Sequence, residues 1–237
     1  MKNTIQNLLS RMGLKLIRYP ESDLKRRMQL IRTFGINKII DVGANAGQYA
    51  LSMRKLGYKG PIISFEPLRE AFSLLQKISA GDENWQIHNL ALGEEDRHAE
   101  INVADNSYSS SLLEIMPAHV KAAPQSKYIR KQDVIIRKLD SIFADFYHNQ
   151  DRILLKIDTQ GFEKNVIDGA EQSLAKIMGI QVEMSLQELY SREMLFSEMI
   201  QYLGQRGFDL YSLENGFSDP NSGRLLQVDG IFFKNPG

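Results

Sequence analysis

The chain is expected to form an α/β fold in which a mostly parallel sheet carries helices on both faces and an antiparallel hairpin closes one edge. Three observations carry that expectation. From residue 36 onward, short apolar runs alternate with segments of helical period, as successive βαβ units do. The first of these runs, around Ile39 and Ile40, reads as a strand covered on both sides and ends in Asp41 and a glycine turn. The tail, Phe208 to Leu213 and Leu225 to Phe233, reads as two strands joined by a loop rich in Asn, Gly and Pro.

In order along the chain, residues 1–34 read as an amphipathic helical cap. Ile5, Leu8, Leu9 and Met12 share one face, and Leu24, Met28 and Ile31 share another after a break at Tyr19-Pro20. Its Lys15, Arg18, Lys25, Arg26 and Arg27 make a basic face that is either solvated or turned to an anionic surface. Residues 35–237 form the second unit. Its first strand is Lys38 to Val42, followed by a helix in which Tyr49, Ala50, Met53 and Leu56 recur at helical spacing up to Gly57. The second strand, Ile62 to Phe65, ends in Glu66-Pro67, and Ala71, Leu74, Leu75 and Ile78 mark the next helix. The third strand is Trp85 to Leu90, and Ala99 to Val103 and Val134 to Leu139 alternate as added strands around a polar loop containing Ser107 to Ser111. The fourth strand, Ile153 to Ile157, ends in Asp158, and Phe162, Val166, Ala170 and Leu174 form one apolar helical stripe before a fifth strand, Ile180 to Glu183.

Composition narrows the function classes. The chain has 237 residues, 43% hydrophobic and 24% charged, which suits one globular α/β domain with a full core. Lys plus Arg equals Asp plus Glu at 29 each, so no global attraction to nucleic acid is expected. With no cysteine there is no disulfide, thiolate ligand or cysteine nucleophile, and His88, His98, His119 and His148 lack zinc-ligand spacing. No apolar run reaches the roughly 18 residues of a membrane span, and a cytoplasmic location is expected.

In an open parallel sheet, ligands bind outside the carboxyl ends of the strands. Those ends carry Asp41, Glu66, Asn89, Asp158 and Glu183. A carboxylate after the second strand is placed to accept both hydroxyls of a ribose. A dinucleotide site would want G-x-G-x-x-G, whereas this turn reads Gly43-Ala44-Asn45-Ala46-Gly47. An acidic residue before the glycines would repel a pyrophosphate but could pair with the ammonium of a methionine moiety, so S-adenosylmethionine fits better than a nicotinamide cofactor.

The motifs Asp41-Val-Gly-Ala-Asn-Ala-Gly-Gln-Tyr49, Phe65-Glu66-Pro67, Asn89-Leu-Ala-Leu-Gly93, Lys138-Leu-Asp140, Lys156-Ile-Asp-Thr-Gln-Gly-Phe-Glu163 and Val182-Glu183 occur in an order that resembles the FkbM family of S-adenosylmethionine-dependent methyltransferases. The resemblance spans roughly residues 36–234. It implies a class I methyltransferase, Rossmann-like fold with a seven-stranded sheet, and methyl transfer mostly to hydroxyl oxygens of sugars, macrolides or related natural products. Carried over, Asp41, Gly43, Ala44, Asn45, Gly47 and Tyr49 belong to the methionine end of the cofactor site. Glu66 would hold the ribose, and Pro67, Leu68, Asn89, Ala91 and Leu92 would flank the adenine.

Transfer to a hydroxyl requires in-line alignment and a group to manage the proton. Asp158 is the candidate for the proton and a further neighbour of the cofactor. Lys156 and Glu183 are expected to orient it or to stabilise an alkoxide. Asp158, Glu163 and Glu183 also make an all-oxygen set suited to a magnesium-like ion, with Glu163 alternatively a simple charge at a helix start. The loop Tyr108 to Ser111 reads as a lid, and Tyr190 and Arg192 as further acceptor contacts. A small-molecule or glycan acceptor is expected, without nucleic acid, and a homodimer is left open. The rival readings are a nicotinamide-dependent oxidoreductase, an inactive cofactor-binding module, and an RNA or protein methyltransferase.

Overall fold

The computed structural model describes residues 19–234. In chain order its elements begin with α1 (Ser22–Thr33), β1 (Lys38–Val42), α2 (Gln48–Lys55), β2 (Ile62–Phe65), α3 (Arg69–Ser79) and β3 (Trp85–His88). Then come β4 (Ala91–Leu92), β5 (Arg97–Ala104), α4 (Pro117–Ala122), β6 (Tyr128–Arg137), α5 (Leu139–Ile142) and β7 (Ile153–Ile157). The last are α6 (Glu163–Asp168), β8 (Ile177–Ser185), α7 (Phe196–Gly204), β9 (Phe208–Asn215) and β10 (Gln227–Lys234).

A seven-stranded sheet of order β3-β2-β1-β7-β8-β10-β9 forms the centre. Its first five strands are parallel, and β10 runs antiparallel to both β8 and β9. The fold is therefore the expected one: a Rossmann-like, class I methyltransferase arrangement with seven mostly parallel strands and a C-terminal antiparallel hairpin. Successive strands step one way from β1 to β3 and the other way from β7 to β8, so the crevice above β1 and β7 is the topological switch point.

Each face of the sheet buries its own core. Ile40, Val42, Phe65, Leu155 and Ile157 pack with Val166 and Ile167 of α6 and Met199 and Leu203 of α7. On the opposite face Ile39, Ile62 and Leu154 pack with Ala50 and Met53 of α2 and with Met28 and Ile31 of α1. Each such fully buried aliphatic side chain contributes about 1.5–3 kcal/mol relative to exposure. Arg26 donates to Ser212 Oγ at 2.6 Å, and Arg27 forms an ion pair with Glu214, tying α1 to β9. The apolar face expected for Ile5 to Met12 lies outside the described residues.

Two elements differ in kind from expectation, while the strands at Tyr128–Arg137 and Ile177–Ser185 start earlier than the expected Val134 and Ile180. The third strand stops at His88, because the Asn89 side chain donates to the carbonyls of Glu66 (2.9 Å) and Pro67 (3.1 Å) and turns the chain. Ala91 and Leu92 then open a second sheet of order β4-β6-β5, which takes in the two added strands. The stripe from Phe162 to Leu174 is not one helix. α6 ends at Asp168, where a side chain at Gly169 would lie 1.9 Å from the carbonyl oxygen of Gly93, and a separate short turn over Ser173–Lys176 follows. Asp140 caps that turn, accepting from Ser173 N at 2.8 Å and Ser173 Oγ at 2.6 Å.

Candidate active site

Strand register builds the floor of the site. Asp41 of β1 is level with Ser64 of β2 and Lys156 of β7, and Lys156 is level with Gln181 of β8. Because neighbouring parallel strands place level residues on the same face, these four make a polar row across the buried sheet. Asp41 is 0% exposed. It accepts from Ser64 Oγ at 3.1 Å and pairs with Lys156 Nζ at 3.1 Å. Trp85 Nε1 donates in turn to Ser64 Oγ at 2.9 Å. Burial alone would lower the Lys156 pKa, but the charges of Asp41 and Asp158 outweigh it and hold the ammonium charged. Lys156 Nζ also donates to the Gly43 carbonyl at 3.1 Å and lies 3.6 Å from Asp158.

The glycine turn sits directly on this row. At Gly43, φ is +75° and a side chain would lie 1.8 Å from the Asp158 carbonyl oxygen, so only glycine lets the turn rest on the end of β7. Asn45 takes a φ of +46°. Gly47 faces away: a side chain there would meet Trp85 and Leu75 at 2.8 and 2.9 Å.

Above the turn lies a cavity of about 360 Å³. Pro67, Leu68, Ala91, Leu92 and Ile101 give it an apolar slot. Gly43, Asn45 and Glu66 line it as well, and so do Asp158, Thr159, Gln160 and Glu183. Glu66 accepts from the backbone N–H groups of Leu68 and Asn45, both at 2.8 Å, and burial raises its pKa to about 7 against those two hydrogen bonds. Burial, and then the charge of Asp158, raises the Glu183 pKa well above the carboxylate range. Gln160 Nε2 bridges the two carboxylates, donating to Asp158 Oδ1 at 3.0 Å and Glu183 Oε2 at 2.6 Å. Gln227 adds a second donor to Glu183 at 2.8 Å. The serine loop covers the turn: Ser107 Oγ accepts from Asn45 Nδ2 at 3.3 Å and Tyr108 OH from Gln48 Nε2 at 3.0 Å.

Beside Tyr108 and Asp158 is a second cavity of about 200 Å³, lined also by Arg27, Ala44, Tyr49, Lys156, Gln181 and Asp229. Tyr49 donates to Gln181 Oε1 at 3.0 Å.

Several of the expected site residues sit apart from the cavities or in other contacts. Asp41, expected at the methionine end of the cofactor, lines neither cavity and pairs with Lys156 beneath the turn. Gly47 is a packing position against Trp85. Asn89 is exposed and buttresses the Glu66-Pro67 turn instead of lining the slot. Glu163 turns into its own loop, accepting from Thr159 N at 2.8 Å and Gly161 N at 3.2 Å, so the magnesium-type set with Asp158 and Glu183 does not assemble. Among the described residues no group of three or more His, Asp or Glu side chains is arranged to hold a metal ion. Tyr190 is buried, donating to Gln160 Oε1 at 2.7 Å, and belongs beneath the site. Sequence reasoning did not single out Gln160, whose φ of +56° no motif announces, nor Phe217 and Gln227, which a distant hairpin delivers.

A family model described as the methyltransferase FkbM domain matches residues 41–210, which include the turn, Glu66, Asp158 and Glu183. The chain belongs to that family. Among similar proteins is "Methyltransferase 1" of Beauveria bassiana (strain ARSEF 2860), 25% identical over 150 residues that make up 56% of this chain and 58% of that relative. The chain thus spans less than two thirds of that protein's length. Among solved structures, TehB from Haemophilus influenzae shows a TM-score of 0.49 at 10% identity, covering 92% of this chain and 64% of that one. An rRNA methylase from Streptococcus thermophilus shows 0.46 at 10% identity, covering 92% and 98%.

S-adenosylmethionine is the cofactor expected of an FkbM methyltransferase, and the donor set here suits it. Glu66 faces the cavity with lone pairs to spare beyond its two backbone hydrogen bonds, and the slot beside it is apolar. Among the described residues the acidic side chains lining this cavity are Glu66, Asp158 and Glu183, with neither lysine nor arginine, an environment that favours a sulfonium cation over an anion.

Proposed function

We propose that the protein methylates a hydroxyl oxygen of a small molecule, a sugar, glycan or related natural product, using S-adenosylmethionine. The observation that carries this reading is that one cavity joins a ribose-type carboxylate, Glu66, to Asp158 and Glu183 across the glycine turn. Bound there, S-adenosylmethionine supplies an electrophilic methyl group on a positively charged sulfur. Glu66 would accept from the ribose hydroxyls, and Pro67, Leu68, Ala91 and Leu92 would enclose the adenine. Gly43, Ala44 and Asn45 would flank the methionine portion, with Tyr49 in the adjoining cavity.

The acceptor hydroxyl gives up its proton as its oxygen takes the methyl group. Asp158 is the group to hold that proton: it lines the cavity, its side chain is 38% exposed, and Lys156 keeps a cation 3.6 Å away. Glu183, with its raised pKa, is suited to giving a hydrogen bond rather than taking the proton first. Gln160 keeps the two carboxylates in fixed relation. The loop carrying Ser107 and Tyr108 would keep water from the reacting atoms.

The test is incubation with S-adenosylmethionine and a panel of simple glycosides, sugar nucleotides and glycolipid precursors, followed by mass spectrometry for the gain of one methylene. A gain in a hydroxylated acceptor is expected. No gain in any acceptor, together with no binding of S-adenosylhomocysteine, would sink the proposal.

A further inference from the structure

Beyond Glu183 the cavity wall changes character: His119, Phe217 and Gln227 line it there. His119 is 3% exposed, and its Nδ1 is buried with no hydrogen-bond partner among the described residues. Packing holds the ring in place, with the Tyr190 ring nearly perpendicular to it at 5.1 Å between centroids and the Phe217 ring at 5.5 Å. The ring is placed by the same parts that place the reacting carboxylates, since Tyr190 also donates to Gln160 and Gln227 donates to Glu183. A buried polar atom with no partner is costly; Nδ1 is itself closed off from the cavity, so the ring meets a ligand there through Nε2, which is not sealed. Burial lowers the His119 pKa to about 4, so near neutral pH the imidazole is uncharged, with one donor and one acceptor.

The chemistry of the ligand follows from what surrounds this ring. A phosphorylated or carboxylated acceptor would enter a cavity whose ionisable lining, among the described residues, is acidic apart from His119, with no lysine or arginine to pair it. An aromatic face beside neutral hydrogen-bonding groups suits instead a ring with an apolar face and hydroxyls at its rim.

We propose that His119, Phe217 and Gln227 form the acceptor subsite, that it takes an uncharged polyhydroxylated ring, and that His119 hydrogen-bonds a hydroxyl that does not react. This rests on the methyltransferase reading for the neighbouring role of Asp158. His119 is a positioning residue in this scheme and takes no proton from the reacting oxygen.

The experiment follows the histidine ring ¹⁵N signals by NMR, assigning His119 through His119→Gln, while methyl glycosides are titrated with and without saturating S-adenosylhomocysteine. The comparison ligand is glucose 1-phosphate. At least one glycoside is expected to shift the His119 signals saturably. His119→Phe is expected to weaken that binding roughly tenfold and His119→Gln to restore part of it, with S-adenosylhomocysteine affinity unchanged in both. Silence of the His119 signals to every glycoside, tighter binding of the phosphate, or unaltered glycoside binding by both variants would each overturn the subsite. Loss of S-adenosylhomocysteine binding by the unmodified protein would instead bring down the methyltransferase reading, while the titration without it still judges the subsite.

Discussion

Two carboxylates of the cavity are set apart by their surroundings. Asp158 is partly open and has a lysine beside it, whereas Glu66 is enclosed and held by two backbone N–H groups. Asp158→Asn is therefore expected to lower kcat by about 10²–10⁴-fold, the usual contribution of a positioned acid–base group, while calorimetry finds S-adenosylhomocysteine affinity close to wild type. For Glu66, a pKa of about 7 places the change of charge within the working range. A carboxylate accepts hydrogen bonds from ribose more strongly when ionised, so affinity for S-adenosylhomocysteine is expected to rise roughly tenfold between pH 6 and pH 8. Glu66→Gln should flatten that profile; a wild-type profile that is already flat would count against the ribose role. The sign for stability is opposite. Because the folded pKa is raised above the ordinary 4.5, the contribution of Glu66 to the unliganded protein is fully present below 4.5 and lost as pH rises through about 7.

The strands do more than carry these residues to the crevice. Level pairing of β1 with β7 puts Lys156 against Asp41 inside the sheet, where neither charge can be hydrated. Lys156→Met leaves Asp41 buried without its cation and is expected to cost about 3–5 kcal/mol in urea unfolding, whereas Asp41→Asn combined with Lys156→Met should recover much of the loss. A double variant no more stable than Lys156→Met alone would show that the pair is not the source. This pairing also marks the limit of what the chain discloses by inspection. Apolar runs disclosed where the strands are, and Asp41 and Lys156 each stood out as polar residues within a strand. Their partnership depends on register between strands more than 100 residues apart, which no local pattern encodes. The same holds for Asn89, which reads as a strand-end residue facing a ligand and instead turns the chain between two sheets.

Taken whole, the protein is neutral in sequence, yet among the described residues its main cavity is lined by acidic side chains and by neither lysine nor arginine. A balanced total cannot reveal such a separation; only the fold, which sends Lys156 beneath the turn and Arg27 toward Glu214, sorts the charges. A polyanion would find no lysine or arginine among the described lining residues to release counterions against. Methyl transfer to the acceptor is accordingly expected to change little between about 50 and 200 mM salt, a range over which phosphate-dependent binding falls by orders of magnitude. A steep salt dependence in a steady-state assay would point to a polyanionic partner. The ligand half nearest the glycine turn was legible because its residues are adjacent in the chain. The half around His119, Phe217 and Gln227 was not, because an insertion and a C-terminal hairpin meet only in the folded molecule.

The hydrogen-bonded line from Trp85 through Ser64 to Asp41 ends directly under Lys156 and the glycine turn. Trp85 is the sole tryptophan of the chain, so the indole emission of the protein has one source. Its colour depends on the polarity of the dipoles and charges at the indole N–H, and those belong to the floor of the site. The molecule thus carries its own optical gauge of the turn: occupation of the crevice should register as a change in emission without any attached dye, and a Ser64→Ala variant should mute it.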